Sequence, residues 1–450
     1  VALNKNGIIQ QGGWDNPPDF REAVRFWFKL GWISFGGTTG HIAIMHDYLV
    51  GEKKWISNNM FIHALNHCMI LPGPEAQQLA IYIGWKLHGK KGGILAGSFF
   101  VLPSMLILLA LSLVYVRYGN NPLLLSLFAG LKPAVLAIII VATYKVGRKA
   151  LLGPVHYLVA AATFVCTYFF HVPIPFIIAG VLLLAVLLRF TAPAVLHMQK
   201  KEPENGLHES DYYLNMQQAT GETLHAATLL RQLFVFLLLW LVPFALLLLF
   251  GMDQHFWKQI AVFFTETAFV TIGGSYTVIP YVAQVGVSKL LWLSKTQMID
   301  GFALAETTPG PLIIVLSYVG FMAGYNHFGG SLAMGTIGLL ATTYFTFVPN
   351  FLFIFLGAPL IERSQGKATI RSMLSLVTAT IVGVILNLTF FLGRDILFTS
   401  GIWSFGRLDY MALAWVIIAL WLQLKFRVKL LYLVLLSLLY GMIHYYLLKG

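Results

Sequence analysis

Two stretches decide the fold: His63 to Trp85, HALNHCMILPGPEAQQLAIYIGW, and Gly301 to Val315, GFALAETTPGPLIIV. Each sets a Pro-Gly-Pro triplet inside an apolar run, Pro72-Gly73-Pro74 in the first and Pro309-Gly310-Pro311 in the second. Two prolines remove two amide donors and clash with the preceding turn, so a helix must break at each triplet. Such a break inside apolar sequence is tolerated in a membrane bundle, where neighbouring helices satisfy the freed backbone.

The triplets lie 237 residues apart (309 − 72), and other motifs keep that spacing. Phe35-Gly36-Gly37 recurs as Ile272-Gly273-Gly274, Trp55-Ile56-Ser57 as Trp292-Leu293-Ser294, and Gly92-Gly93 as Gly329-Gly330. Pro103 then matches Pro349 at 246 (349 − 103), which implies one short insertion in the second copy. Rare motifs in fixed register indicate a duplication.

Composition agrees with a membrane protein. Of 450 residues 58% are hydrophobic and only 11% charged, against about a quarter in soluble proteins. Mean hydropathy is +0.76. Apolar stretches such as Gly93 to Val116, Leu233 to Phe250, Met373 to Leu392 and Leu430 to Leu448 approach the roughly 20 residues that cross a bilayer as a helix. The fold class is therefore all-α and polytopic.

Spans are expected near 21–46, 58–85, 93–116, 122–144, 154–170 and 173–189, then 233–250, 258–284, 297–323, 330–358, 373–392, 410–424 and 430–448, thirteen in all. The division that follows is a segment 1–19, a first repeat 20–190, a polar linker 191–232, a connecting helix 233–252 and a second repeat 253–450. One extra helix between two six-helix units turns the second upside down, giving an inverted repeat with its substrate near the bilayer midplane. Arg21, Lys86, Lys145, Lys200, Lys289, Arg363 and Lys425 fall on one set of loops, whereas Lys53, Lys54, Arg117, Lys258 and Arg394 fall on the other. Basic loops stay inside, so the N-terminus is expected in the cytoplasm and the C-terminus outside. The net charge of +12 is then a matter of topology and not of nucleic-acid binding. Val1 to Pro18 has the composition of neither a charged leader nor an apolar core, and no signal peptide is expected there.

The half-helices after Pro74 and Pro311 point unpaired N–H groups and a positive dipole end into the gap, where an anion is stabilised. Gly36-Gly37 and Gly273-Gly274 can form an N–H nest for an oxyanion, or serve only as a close helix crossing. Ser34, Thr271 and Ser275 stand beside these glycines, and Gln77 and Gln78 supply neutral donors in the first turn after Pro74. Glu75 follows the first triplet and Glu306 precedes the second, at positions that are not repeat equivalents. Glu75 is either a helix-terminal charge or a carboxyl that loses its proton as a dianion leaves. Lys132 interrupts an uncharged span and is expected to neutralise the anion, unless it snorkels to a headgroup. His63 and His67 are one turn apart, but a third metal ligand is not evident and no metal is assigned. Cys68 and Cys166 read as buried apolar residues.

FWFKLGWISFGG (26–37), HALNHCMILPGPEAQQLAIYIGW and AGLKPAVLA (129–137), with TIGGSYTVIP (271–280) and GFALAETTPGPLIIV, resemble the two-domain members of the chromate ion transporter family. The resemblance implies a secondary transporter that exports chromate through the inner membrane and confers resistance, with sulfate as the natural mimic. It implies an antiporter or a carrier driven by protons or by the membrane potential, with no cofactor and no catalytic residue; a homodimer is compatible with it. Sulfate uptake on the same scaffold is the rival. A membrane oxidoreductase using His63 and His67 is remoter, for want of a haem, nucleotide or thiolate motif.

Overall fold

The computed structural model describes residues 18–35, 37–69, 71–119, 121–191, 212–214, 226–250, 252–271, 278–359, 368–398 and 408–449. Apart from two isolated bridges, the regular structure among these residues is helical. In chain order the helices are α1 (Phe20–Ile33), α2 (Gly37–His46), α3 (Asn58–Cys68), α4 (Glu75–Tyr118), α5 (Pro122–Ala150), α6 (Pro154–Tyr168), α7 (Ile174–Thr191) and α8 (Ala226–Phe250). There follow α9 (Gln254–Val270), α10 (Val278–Gln284), α11 (Lys295–Thr307), α12 (Val315–His327), α13 (Leu332–Leu352), α14 (Ala368–Leu397), α15 (Tyr410–Lys425) and α16 (Leu430–Lys449). The connecting helix α8 starts at Ala226 and takes in Arg231, which the sequence placed in the linker.

Five of these helices are long and apolar enough to cross a membrane, over Glu75–Tyr118, Pro122–Ala150, Leu229–Leu249, Leu332–Gly357 and Ser375–Leu397. Shorter apolar helices add to them. The chain is a multi-pass membrane protein.

The Pro-Gly-Pro segments do break their helices, but the two arms of each fold back on one another. In α3 and α4 the rings of His67 and Tyr82, on either side of Gly73, lie nearly parallel 6.4 Å apart. In α11 and α12 a Cβ on Gly301 would stand 2.1 Å from the Tyr318 ring, and Asn326 at the far end of α12 donates to the Trp292 carbonyl at 2.8 Å. Each triplet is thus the tip of a helical hairpin that enters and leaves on one face. With 11 residues α3 is about 17 Å long at 1.5 Å per residue, roughly half the hydrocarbon thickness.

The preceding pairs also double back. Phe26 of α1 stacks on Tyr48 after α2 at 4.1 Å, and Phe263 of α9 meets Tyr281 of α10 at 5.6 Å. The spans near 21–46, 58–85, 258–284 and 297–323 were expected as single crossings; the contacts make each a hairpin. The physical reason is that hydropathy measures length and polarity, and a break leaves the direction of the second arm free. Two corrections of side follow. Lys53 Nζ lies 2.7 Å from Glu22 Oε1, and His88 Nε2 donates to the Pro18 carbonyl at 2.7 Å, so Arg21, Lys53 and Lys86 share a face. Lys53 and Lys54 do not belong to the opposite set of loops. Lys295, six residues after Lys289, lies 3.8 Å from Asp395, so this segment shares the face of Arg394 and not that of Lys86. Tyr213 and Leu214 dock on the same face, where their amides donate to Lys54 and Trp55 and the Leu214 carbonyl accepts from Ser57 at 2.8 Å.

Helices α5 and α14 pack face to face, and Thr143 Oγ1 stands 3.4 Å from Thr389 Oγ1. These two residues are 246 apart (389 − 143), the spacing of Pro103 and Pro349, which Gly147 and Gly393 keep as well. Helices α15 and α16 lie on α5, whereas α6 and α7 lie on α14, so the last helices of each half cover the other half. The core around α12 is fully enclosed: Val315, Leu316, Val319, Phe321 and Met322 have no exposure.

Candidate functional site

The tips of the two Pro-Gly-Pro hairpins meet the other half. Gly73 donates its amide to the Thr271 carbonyl at 2.5 Å, and Gly310 donates to the Ser34 carbonyl at 2.7 Å. Ser34 and Thr271 cap the C-terminal ends of α1 and α9 and are 237 apart (271 − 34), as are the two glycines (310 − 73). Each amide therefore satisfies a helix-end carbonyl that its own helix leaves open.

Both glycines hold left-handed backbone, with φ of +121° at Gly73 and +96° at Gly310. A side chain there would also collide. A Cβ on Gly73 would lie 2.0 Å from Asn350 Oδ1, and one on Gly310 would lie 1.9 Å from Ser104 Oγ. Ser104 and Asn350 are equivalents at the spacing of 246 (350 − 104) and follow the matched prolines Pro103 and Pro349. Sequence reasoning aligned those prolines and passed over the next residue.

Around the tips lies a neutral polar cluster. Asn350 Nδ2 donates to Gln77 Oε1 at 2.9 Å, Gln77 Nε2 donates to the Gly97 carbonyl at 3.3 Å, and Gln78 Nε2 donates to the Pro72 carbonyl. His41 Nε2 donates to the Ser34 carbonyl at 2.8 Å. Among the described residues, Ser34 Oγ, Ser104 Oγ, Gln78 Oε1 and Asn350 Oδ1 are buried atoms that no hydrogen bond occupies. Leaving a buried polar atom unmade costs about 1–3 kcal/mol, so these four atoms around two helix breaks are open to a further polar partner. Pro74 and Pro311, at the N-caps, give no side-chain cap to the helical turns that begin there. The first-turn amides of α4 are thus left to other acceptors.

Of the expected residues, Ser34, Pro72, Gly73, Pro74, Gln77, Gln78, Thr271, Pro309, Gly310 and Pro311 lie in or frame this cluster. Gly37 opens α2 with φ +70°. Gly36, Gly273, Gly274 and Ser275 lie outside the described residues. Glu75 heads α4 and is half-buried. Glu306 is buried in the last turn of α11.

Lys132 does not join the tips as a free cation. Its Nζ lies 3.0 Å from Asp300 Oδ1, and Asp300 Oδ2 accepts from the Tyr115 hydroxyl at 2.9 Å. The expected neutralisation of an anion by Lys132 is thus met first by a carboxylate of α11. Asp300 is legible in the sequence as an acid within the apolar run Met298-Ile299-Asp300-Gly301-Phe302, away from the triplets that flank Glu75 and Glu306. The His63 and His67 rings lie 4.3 Å apart, with His67 Nδ1 on the His63 carbonyl at 2.6 Å. Among the described residues they belong to no group of three metal-ligating side chains.

The family model described as Chromate transporter matches residues 21–188 and 258–442, two segments whose starts are again 237 apart (258 − 21). The chain belongs to the chromate transporter family. Relatives within reach of this chromate transporter family member include the chromate transport protein of Pseudomonas aeruginosa, 30% identical over 376 residues, 82% of this chain and 80% of the relative. The chromate transport protein of Cupriavidus metallidurans is 29% identical over 370 residues, 81% of this chain and 80% of its own. A probable chromate transport protein of Synechococcus elongatus is 29% identical over 380 residues, 83% and 85% of the two chains. No solved structure matches. The family consists of transport proteins, so the chain is a transporter and not an enzyme.

Proposed function

We propose that the chain exports chromate from the cytoplasm across the inner membrane, with the dianion held between the two Pro-Gly-Pro tips. The observation that carries this reading is the reciprocal pair of bonds, Gly73 to Thr271 and Gly310 to Ser34, with unoccupied buried polar atoms on both sides. Hydroxyls and helix N-termini bind a dianion without a fixed counter-charge that would hold it too tightly for release.

The same reciprocity supports two halves of opposite orientation. Helix α4 breaks at His88 and Gly89, where the backbone leaves helical geometry, and counting the hairpins as re-entrant leaves nine crossings: the part of α4 after that break, then α5, α6, α7, α8, α13, α14, α15 and α16. On this path Arg21, Lys53, Lys86, Lys145, Arg231 and Lys425 all face the cytoplasm, the N-terminal segment with them, and the C-terminus faces outward, as basic residues require. A negative interior drives each negative charge outward by roughly 2.3 kcal/mol per 100 mV, enough to favour export of a dianion. Resistance follows from lowered accumulation. Sulfate shares the charge and the tetrahedral shape and is the competing cargo.

The test is uptake of labelled chromate by everted and right-side-out vesicles under an imposed potential. Accumulation in everted vesicles with a positive interior is expected. Uptake confined to right-side-out vesicles, or uptake of sulfate alone, would overturn export of chromate in favour of oxyanion import.

A further inference from the structure

We infer that Asp300 is the resident counter-ion which the transported oxyanion displaces from Lys132, so that this pair forms a charge-exchange gate between the tip site and the outer face. The inference rests on the reading of the chain as an oxyanion exporter.

Three elements from both halves build the gate: Lys132 on α5, Asp300 on α11 and Tyr115 near the end of α4. Asp300 lies five residues after the start of α11 (300 − 295) and Tyr115 three before the end of α4 (118 − 115). Both therefore lie between the tips and the face from which the α11–α12 hairpin enters. A lone charge at this depth is costly, so each member holds the other in place until a substitute arrives.

The two members differ in access. The Asp300 side chain is 5% exposed and that of Lys132 26%, so an anion reaches the ammonium from its open side while the carboxylate stays enclosed. Tyr115 keeps its bond to Oδ2, and Tyr318 packs behind it with ring centres 5.9 Å apart, so the carboxylate remains placed when the lysine turns away. A carboxylate freed in this way repels the dianion that freed it. Departure of the dianion lets Lys132 return to Asp300.

The device belongs to one half alone. At the equivalent positions stand Thr378 (132 + 246) and His63 (300 − 237), which are not an acid and a base. The tip contacts are reciprocal and this pair is not, as a gate for one face requires. Gly301 next to Asp300 binds α11 tightly to α12, and Gly130 near Lys132 binds α5 to α16, where a Cβ would lie 2.1 Å from the Ser437 carbonyl. The ion pair therefore lies where α5 and α11, each also tied closely to a further helix, pack on one another.

Equilibrium chromate binding and chromate counterflow are measured on full-length protein in proteoliposomes, for wild type, Asp300→Asn, Lys132→Arg, Lys132→Gln and the double variant Lys132→Gln/Asp300→Asn. Removing the competing carboxylate in Asp300→Asn is expected to tighten chromate binding about tenfold and to slow counterflow by a similar factor. Lys132→Arg grips the carboxylate with a bidentate fork and is expected to weaken chromate binding severalfold at normal membrane levels, which keeps the test open if Asp300→Asn folds poorly. Lys132→Gln and the double variant are expected to be alike and defective. A purely structural salt bridge gives the reverse: the neutral double variant recovers transport, and neither Asp300→Asn nor Lys132→Arg changes affinity. That pattern in an active wild type overturns the gate alone, whereas wild-type vesicles that move no chromate overturn the exporter reading and the gate with it.

Discussion

Thr143 Oγ1 lies 3.4 Å from Thr389 Oγ1, and each residue occupies in its half the place that the other occupies in its own. Contact between counterparts is the arrangement expected close to an axis relating two copies. The same relation makes Gly73 reach Thr271 while Gly310 reaches Ser34. A substitution in one half therefore has a natural control at its equivalent in the other.

Gly73→Ala and Gly310→Ala are expected to abolish chromate flux while membrane levels stay near normal. Left-handed backbone costs a residue with a Cβ of order 1–2 kcal/mol, and the collisions with Asn350 and Ser104 add to that. Uptake by everted vesicles, normalised to immunoblotted protein, checks this. Wild-type flux in both variants would reduce the tips to helix breaks without a site.

Ser104 and Asn350 should differ, although they are equivalents. Ser104→Ala removes a hydroxyl that no described protein group uses, so chromate affinity should fall while thermal stability stays as it was. Asn350→Ala also strips Gln77 Oε1 of its donor, and leaving that buried acceptor unpaired costs about 1–3 kcal/mol. Melting of the detergent-solubilised variants, compared with their chromate affinity, separates the two effects. Equal melting of Asn350→Ala and wild type would show that Gln77 finds another partner.

Much of this was legible in the sequence because proline and glycine act locally. The Pro-Gly-Pro break, its register of 237 and the positions of Gln77 and Gln78 follow from residue types alone. The fold-back did not, since an apolar arm of a dozen residues reads the same whether it continues across the membrane or returns. The partners of the site residues also arrive from the other half. Nothing near Gly73 in sequence names Thr271 or Asn350, and nothing near Lys132 names Asp300. Within one half, Ser104 was within reach through the matched prolines, and Asp300 through its charge.

Glu75→Gln is expected to keep chromate binding and to lose the response of flux to a pH gradient. The carboxyl heads the half-helix whose N–H groups face the tip site, where an ionised acid repels the dianion and a protonated one does not. Vesicles held at zero potential and given a pH step provide the measurement. Wild-type flux indifferent to the step, or a variant that follows it as wild type does, leaves Glu75 as a helix-terminal charge and export driven by voltage.

The positions of Lys53 and Lys295 separate hairpins from single crossings. Thirteen crossings put Lys53 outside and Lys295 inside, whereas re-entrant hairpins put Lys53 inside, next to Glu22, and Lys295 outside at the start of α11. Cysteines at these two positions, in a background with Cys68 and Cys166 replaced by alanine, are expected to react oppositely with a membrane-impermeant maleimide. Lys53→Cys should label only in everted vesicles and Lys295→Cys only in intact cells. Lys295 also lies 3.8 Å from Asp395 near the end of α14, so Asp395→Cys should label from the same side as Lys295→Cys. Labelling of Lys53→Cys from outside would mean that α1 and α2 cross the bilayer in sequence. The stack of Phe26 on Tyr48 speaks against that, because a continuous path would hold those rings a membrane thickness apart.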